Sequence, residues 1–87
     1  MPRVYLTTAD RHAAEQEAAD DHIRILAAAA RMKTGENQKA QGARLGISAP
    51  TYCKHMKNPG IMTLEEFRRM ARELKMKDSD IIKCVMG

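Results

Sequence analysis

The chain has no tryptophan, and its aromatic residues are Tyr5, Tyr52 and Phe67 alone. Proteins that read single-stranded nucleic acid stack bases on aromatic platforms, so that class is disfavoured. Cysteine is scarce too. Cys53 and Cys84 make neither a disulfide framework nor a zinc pattern, and they are expected as reduced thiols in a cytoplasm. Long apolar runs are missing. The longest, Ile25 to Ala30, is far short of the roughly 20 residues that cross a bilayer. The opening MPRVYLTTADRH has no basic-then-apolar character, which argues against a signal peptide. Asp10, Glu15, Glu17, Asp20 and Asp21 come with no set of residues that would make an active site, so no enzyme is expected.

What remains is a chain of 87 residues, enough for one domain. Ala, Met, Arg, Lys and Glu are frequent, all strong helix formers, and few windows alternate with a period of two. An all-α fold is the expectation. The net charge of +4 is unevenly placed. Residues 1–37 carry five basic and six acidic side chains, hence −1; residues 38–87 carry ten and five, hence +5. A basic half attracts phosphate by Coulomb forces and counterion release.

Five helices can be placed. Residues 1–7 read as an arm, with Val4 and Leu6 alternating around Tyr5. Thr7 or Thr8 can cap a first helix, with Asp10 early, where the helix dipole favours an anion. Residues 9–33 hold no Gly or Pro. Ile25, Leu26, Ala29 and Met32 form the expected buried stripe, so the core helix is placed at about residues 21–33, with the Ala-rich turns before it as an outward extension. Gly35 suits a left-handed terminus. Asn37 caps a second helix, 38–45, which Gly46 ends. Ser48 caps a third, 49–57, with Pro50 in its first turn. Thr63 and Glu66 make a capping box for a fourth, 64–75, with Met62 and Phe67 at the staple positions. Leu64, Phe67, Met70, Ala71 and Leu74 line its apolar face. Asp78 can cap a fifth, 79–86, with Ile81, Ile82 and Val85 inward.

The segment Gln38 to Pro59, QKAQGARLGISAPTYCKHMKNP, is the most informative. It reads as two short helices around a turn centred on Leu45-Gly46-Ile47. This segment, within residues 22–86, resembles the lambda Cro/repressor-type helix-turn-helix family, also called xenobiotic-response-element-type, and its phage-like regulators. The matching features are Gln38 opening the first motif helix, the Leu45-Gly46-Ile47-Ser48 turn, and Tyr52 as the anchor of the second. The resemblance implies a lambda-repressor-like, five-helix domain over residues 21–87 with a helical or extended N-terminal extension over residues 1–20. It implies that Ser48, Ala49, Pro50, Cys53 and Lys54 face base edges, with Thr51 among the DNA-binding residues. Gln38 would touch a phosphate or brace a neighbour, and Lys57 and Asn58 would reach the backbone. The physics of the residues points the same way. Free N–H groups at a helix start suit phosphate. Lys54 can donate to guanine, and Ala49 can pack on a thymine methyl. Two positions depart from the family. Gln41 stands where a buried Leu is usual, so it must reach the surface or find a partner. Gly42 stands where Ala is usual.

Other constellations are weaker. Cys53 and His55 form a C-x-H pair without further ligands, so no metal or cofactor is expected, and His55 is placed at the surface. Asp10, Glu15, Glu17, Asp20 and Asp21 read as a solvated helix face. Residues 2–6 could be disordered, pair with a partner's strand, or reach a minor groove through Arg3. The expected function is double-stranded DNA binding by a small repressor acting as a homodimer, with no small-molecule ligand and no membrane. The competing reading is a protein-interaction module, an antitoxin or an adaptor, held through the acidic first helix and the apolar Ile81-Ile82-Val85 end.

Overall fold

The computed structural model describes residues 8–87. Among them the chain forms five α-helices, one 3₁₀ turn and no strand. Expectations about residues 1–7, including the arm and a Thr7 cap, lie outside the described residues.

Helix α1 runs Thr8–Thr34 without interruption, as its freedom from Gly and Pro allows. Its N-terminal part, residues 8–18, is exposed throughout, so the molecule measures 49 × 24 × 23 Å. Acidic side chains there do face solvent: Glu15, Glu17 and Asp21 are exposed and Asp20 is half-buried. The stripe that enters the core is the expected one only at Leu26, which is half-buried and packs against the core. Ile25 is 62% exposed and Met32 86%, and Ala29 is exposed as well. Ala19, Ile23 and Ala27 are buried instead, at spacing i, i+4, i+8. Small residues let neighbouring helices approach α1 closely, and that outranks the size of the apolar side chain. Gly35, at φ 75°, ends the helix by donating to the Arg31 carbonyl at 2.8 Å.

Helix α2, Gln38–Arg44, starts at Asn37, whose Oδ1 accepts from Ala40 N at 2.8 Å. It ends in a Schellman motif. Ile47 N donates to Gly42 O at 2.9 Å and Gly46 N to Ala43 O at 3.0 Å, with Gly46 at φ 77°. Half-buried Ile47 packs against the core and completes the motif. The Leu-Gly-Ile triplet is therefore a helix stop that also aims the next helix. Helix α3, Ala49–Lys57, follows at once. Ser48 caps it through Thr51 N at 3.3 Å.

A 3₁₀ turn, Pro59–Ile61, leads to α4, Leu64–Glu73. The expected capping box is complete: Thr63 Oγ1 accepts from Glu66 N at 3.1 Å and Glu66 Oε1 from Thr63 N at 2.9 Å. That bond from Thr63 N is the largest cause holding the Glu66 carboxyl below its usual range. Leu64 is 62% exposed rather than inward, while Phe67 and Met70 are buried. Helix α4 closes two residues earlier than its sequence pattern indicates, in a second Schellman motif. Met76 N donates to Ala71 O at 2.9 Å and Lys75 N to Arg72 O at 3.2 Å, with Lys75 held at φ 52°.

Helix α5, Asp78–Met86, packs along α1. Its N-cap is Lys77, which makes no side-chain cap bond; Asp78 lies inside the first turn, where its charge meets the helix dipole. Ile82 and Val85 are each 60% exposed, against the expectation, and Cys84 takes the buried position. Ile23, Leu45, Tyr52, Phe67, Met70 and Cys84 form the core.

Candidate nucleic-acid interface

Helices α2 and α3 form a bent pair, and α3 is held from behind at both ends. Tyr52 is fully buried. Its hydroxyl donates to Gln41 Oε1 and accepts from Arg31. Arg31 also donates to Gln41 Oε1 at 2.9 Å, and Gln41 Nε2 donates to Ala27 O at 3.1 Å. Gln41, itself fully buried, thus finds hydrogen bonds on three sides, and the network ties α1, α2 and α3 together. Burial pushes the Tyr52 phenol above its ordinary value, and the neighbouring Arg31 opposes the shift.

Gly42 has a steric reason. A Cβ there would stand 3.1 Å from Tyr52 Cβ and 3.3 Å from Tyr52 Cδ2. A Cβ at Gly42 would press on the Tyr52 side chain at less than ordinary contact distance, so glycine lets α2 and α3 lie closer than alanine would.

The far end of α3 is gripped by Arg24. Its Nε donates to Met56 O at 2.6 Å and its Nη2 to Lys57 O at 2.9 Å. These carbonyls belong to the unpaired last turn of the helix, and a guanidinium satisfies two at once. Asp21 steadies Arg24 at 2.7 Å. Arg69 does a similar service for α2, donating to Leu45 O at 3.2 Å.

With its back so fixed, α3 turns the expected residues outward. Pro50, Cys53, Lys54, Lys57 and Asn58 are exposed, as is Ser48; Ala49 and Thr51 are half-buried. Gln38, at the start of α2, is exposed and lies beside α3, its Oε1 4.0 Å from Cys53 Sγ. The nine candidates therefore gather on α3 and the adjoining end of α2, and α3 carries no acidic residue.

His55 is the exception to the surface expectation. It is 4% exposed, with Nε2 3.4 Å from Glu66 Oε2 and Nδ1 without a partner. Two residues are about 200° of helix, just over half a turn, so the C-x-H pair points in opposite directions. Among the described residues no group of three or more His, Cys, Asp or Glu could hold a metal ion. The start of α3 is also a weaker phosphate hook than its sequence implies. Thr51 N is taken by Ser48 Oγ and Pro50 has no N–H, which leaves Ala49 as the one backbone donor of the opening turn.

Sequence reasoning missed Arg24 and Arg31. A buried Gln with no neighbour in its own helix was the available signal for Arg31. Arg24 left no signal, because its partners are backbone carbonyls 32 and 33 residues away. No helix among the described residues is long and apolar enough to cross a membrane. No family model, curated protein or solved structure matches the chain.

Proposed function

We propose that the chain binds double-stranded DNA through α2 and α3 as a lambda-repressor-like, phage-type regulator of transcription. The observation that carries this reading is the outward face of α3. Lys54 and Lys57 stand there with small neighbours, no acidic residue accompanies them on the helix, and Tyr52 and Arg24 fix the helix from behind. Lys57, Asn58 and Gln38 contact phosphates, while Ser48, Ala49, Pro50, Thr51, Cys53 and Lys54 meet base edges. Specificity rests on these few side chains, so the protein works as a homodimer on half-sites about 34–36 Å apart.

Titration of a duplex selected from a random library, repeated across salt concentrations, tests this. Lys54→Ala with Lys57→Ala should weaken binding and reduce the slope of log K against log salt by about one per lysine that touches phosphate. Unchanged affinity and slope refute the reading.

Exposed Ile82, Val85 and Met86 favour a second reading, an antitoxin or adaptor that uses the same helices to hold a protein. A protein that co-purifies at fixed stoichiometry, with no duplex retardation at low salt, would support it instead.

A further inference from the structure

The face of α1 opposite its buried stripe carries a second seam. Ala14, Ala18, Asp21, Ile25, Ala28 and Met32 lie on it at alternating four- and three-residue spacing, the repeat of a two-helix contact. Ala28 is half-buried and the others are exposed, Ile25 by 62% and Met32 by 86%. None of the candidate DNA-contacting residues belongs to it.

Charge indicates what covers this seam. Residues 8–21 of α1 carry five acidic side chains and one basic, hence −4; residues 22–34 carry three basic and none acidic, hence +3, with histidine uncharged. A second α1 laid antiparallel sets each acidic half against a basic one, whereas a parallel copy sets like against like. The edge of the seam gives the register. Asp10, Glu17, Arg24 and Arg31 recur every seven residues along it, two acids and then two cations. Glu17 meets the partner's Arg24 when Ile25 packs on the partner's Ala14 and Ala18 on the partner's Asp21. Glu17 is exposed and the Arg24 side chain is 37% exposed, so both can be reached.

The same register places the outward helices. Arg24 and Arg31, which hold α3, immediately precede Ile25 and Met32, so α3 lies about 100° round α1 from the seam. The twofold axis of an antiparallel pair is perpendicular to the plane of both helices. Both copies therefore carry α3 on the same face of the pair. The axis passes between residues 19 and 20. Arg31, bonded to Tyr52, stands roughly 11.5 residues beyond it, so the two Tyr52 anchors lie about 35 Å apart along α1, close to one turn of DNA.

We propose that two copies of the chain pair antiparallel through this outer face of α1, with Ile25 on the partner's Ala14 and Glu17 beside the partner's Arg24. In purpose the pairing rests on the DNA-binding reading, for which it supplies the dimer; its test uses no DNA.

In the full chain with Cys53→Ser, Ala14→Cys and Ile25→Cys are combined and oxidised with diamide. Within one α1 these positions are about 16 Å apart, beyond the reach of a disulfide. The expected product is a covalent dimer, formed at least ten times faster than in urea or with Ile25→Cys alone. Equal rates overturn the antiparallel register. Sedimentation equilibrium on the wild-type chain should give a dimer, and Glu17→Lys should weaken it about ten-fold with helix content unchanged. A wild-type monomer, or a dimer indifferent to Glu17→Lys, overturns the proposal. A dimer that meets both tests but retards no duplex upholds the seam and refutes DNA binding instead.

Discussion

Replacing Gln41 by Leu and Tyr52 by Phe, singly and together, tests the network behind α3. In Gln41→Leu the buried Tyr52 hydroxyl loses its acceptor, and an unmet buried donor costs about 1–3 kcal/mol. Ala27 O loses less, because the helix still supplies the N–H of Arg31. Leucine adds some apolar burial in return, so a net loss of about 2 kcal/mol is expected. In Tyr52→Phe, Gln41 Oε1 keeps Arg31 as a donor at 2.9 Å, and the loss should be about 1 kcal/mol. The double variant removes both polar partners from the interior, and half-buried Arg31 turns its guanidinium to water. It should lose only about 1 kcal/mol, so the pair couples by roughly 2 kcal/mol. Urea titration followed by circular dichroism at 222 nm reads these values, with an unchanged slope as the sign of an intact fold. Each kcal/mol should also move the thermal midpoint by about 4–8 °C. Losses that add to within about 0.5 kcal/mol would show that the three groups do not act as one unit, and would refute the network.

Further outcomes follow from single positions. Lys75→Gly should stabilise the protein by about 0.5–1 kcal/mol, because Lys75 holds a left-handed conformation that suits Gly; a lower thermal midpoint would contradict this. Gly42→Ala should lose about 1 kcal/mol despite better helix propensity, since Tyr52 Cβ is tethered to its own backbone and cannot yield; calorimetry decides the sign. The Glu66 carboxyl is lowered from 4.5, so its contribution is complete above that pH and disappears as pH falls through the lower folded value; Thr63→Ala, which costs about 1 kcal/mol at neutral pH, should flatten this acid limb in a pH series of urea midpoints. The Cys84 thiol is pushed up to about 11, chiefly by burial, with Asp80 adding to it, so alkylation at pH 8 should favour Cys53 strongly; equal rates would show the α5 interface to be open.

The fold was legible where the chain carries its own local signals. Asn37, Ser48 and the Thr63–Glu66 box set helix starts through bonds to residues three positions away, and Gly46 sets a stop by its backbone freedom. Burial was less legible, because it depends on which neighbour arrives. Ala27 is fully buried while Met32 stands in solvent, since close helix packing rewards a small side chain. His55 and Gln41 went inward because Glu66 and Arg31, from other elements, receive them. The outward candidates on α3 were readable from the helical period once Tyr52 was taken as the anchor. The side chains that fix that helix in place were not, because Arg24 and Arg31 act across gaps of 21 residues or more on α3.

Those two arginines sit seven positions apart on one uninterrupted rod, about 10 Å along its axis. One is riveted near the front of the outward-facing helix and the other to its rear. Torque applied to the exposed leading part of α1 would therefore reach that helix through both arginines. A companion molecule that grasped the rod's tip would steer it from a distance, as a tiller moves a rudder.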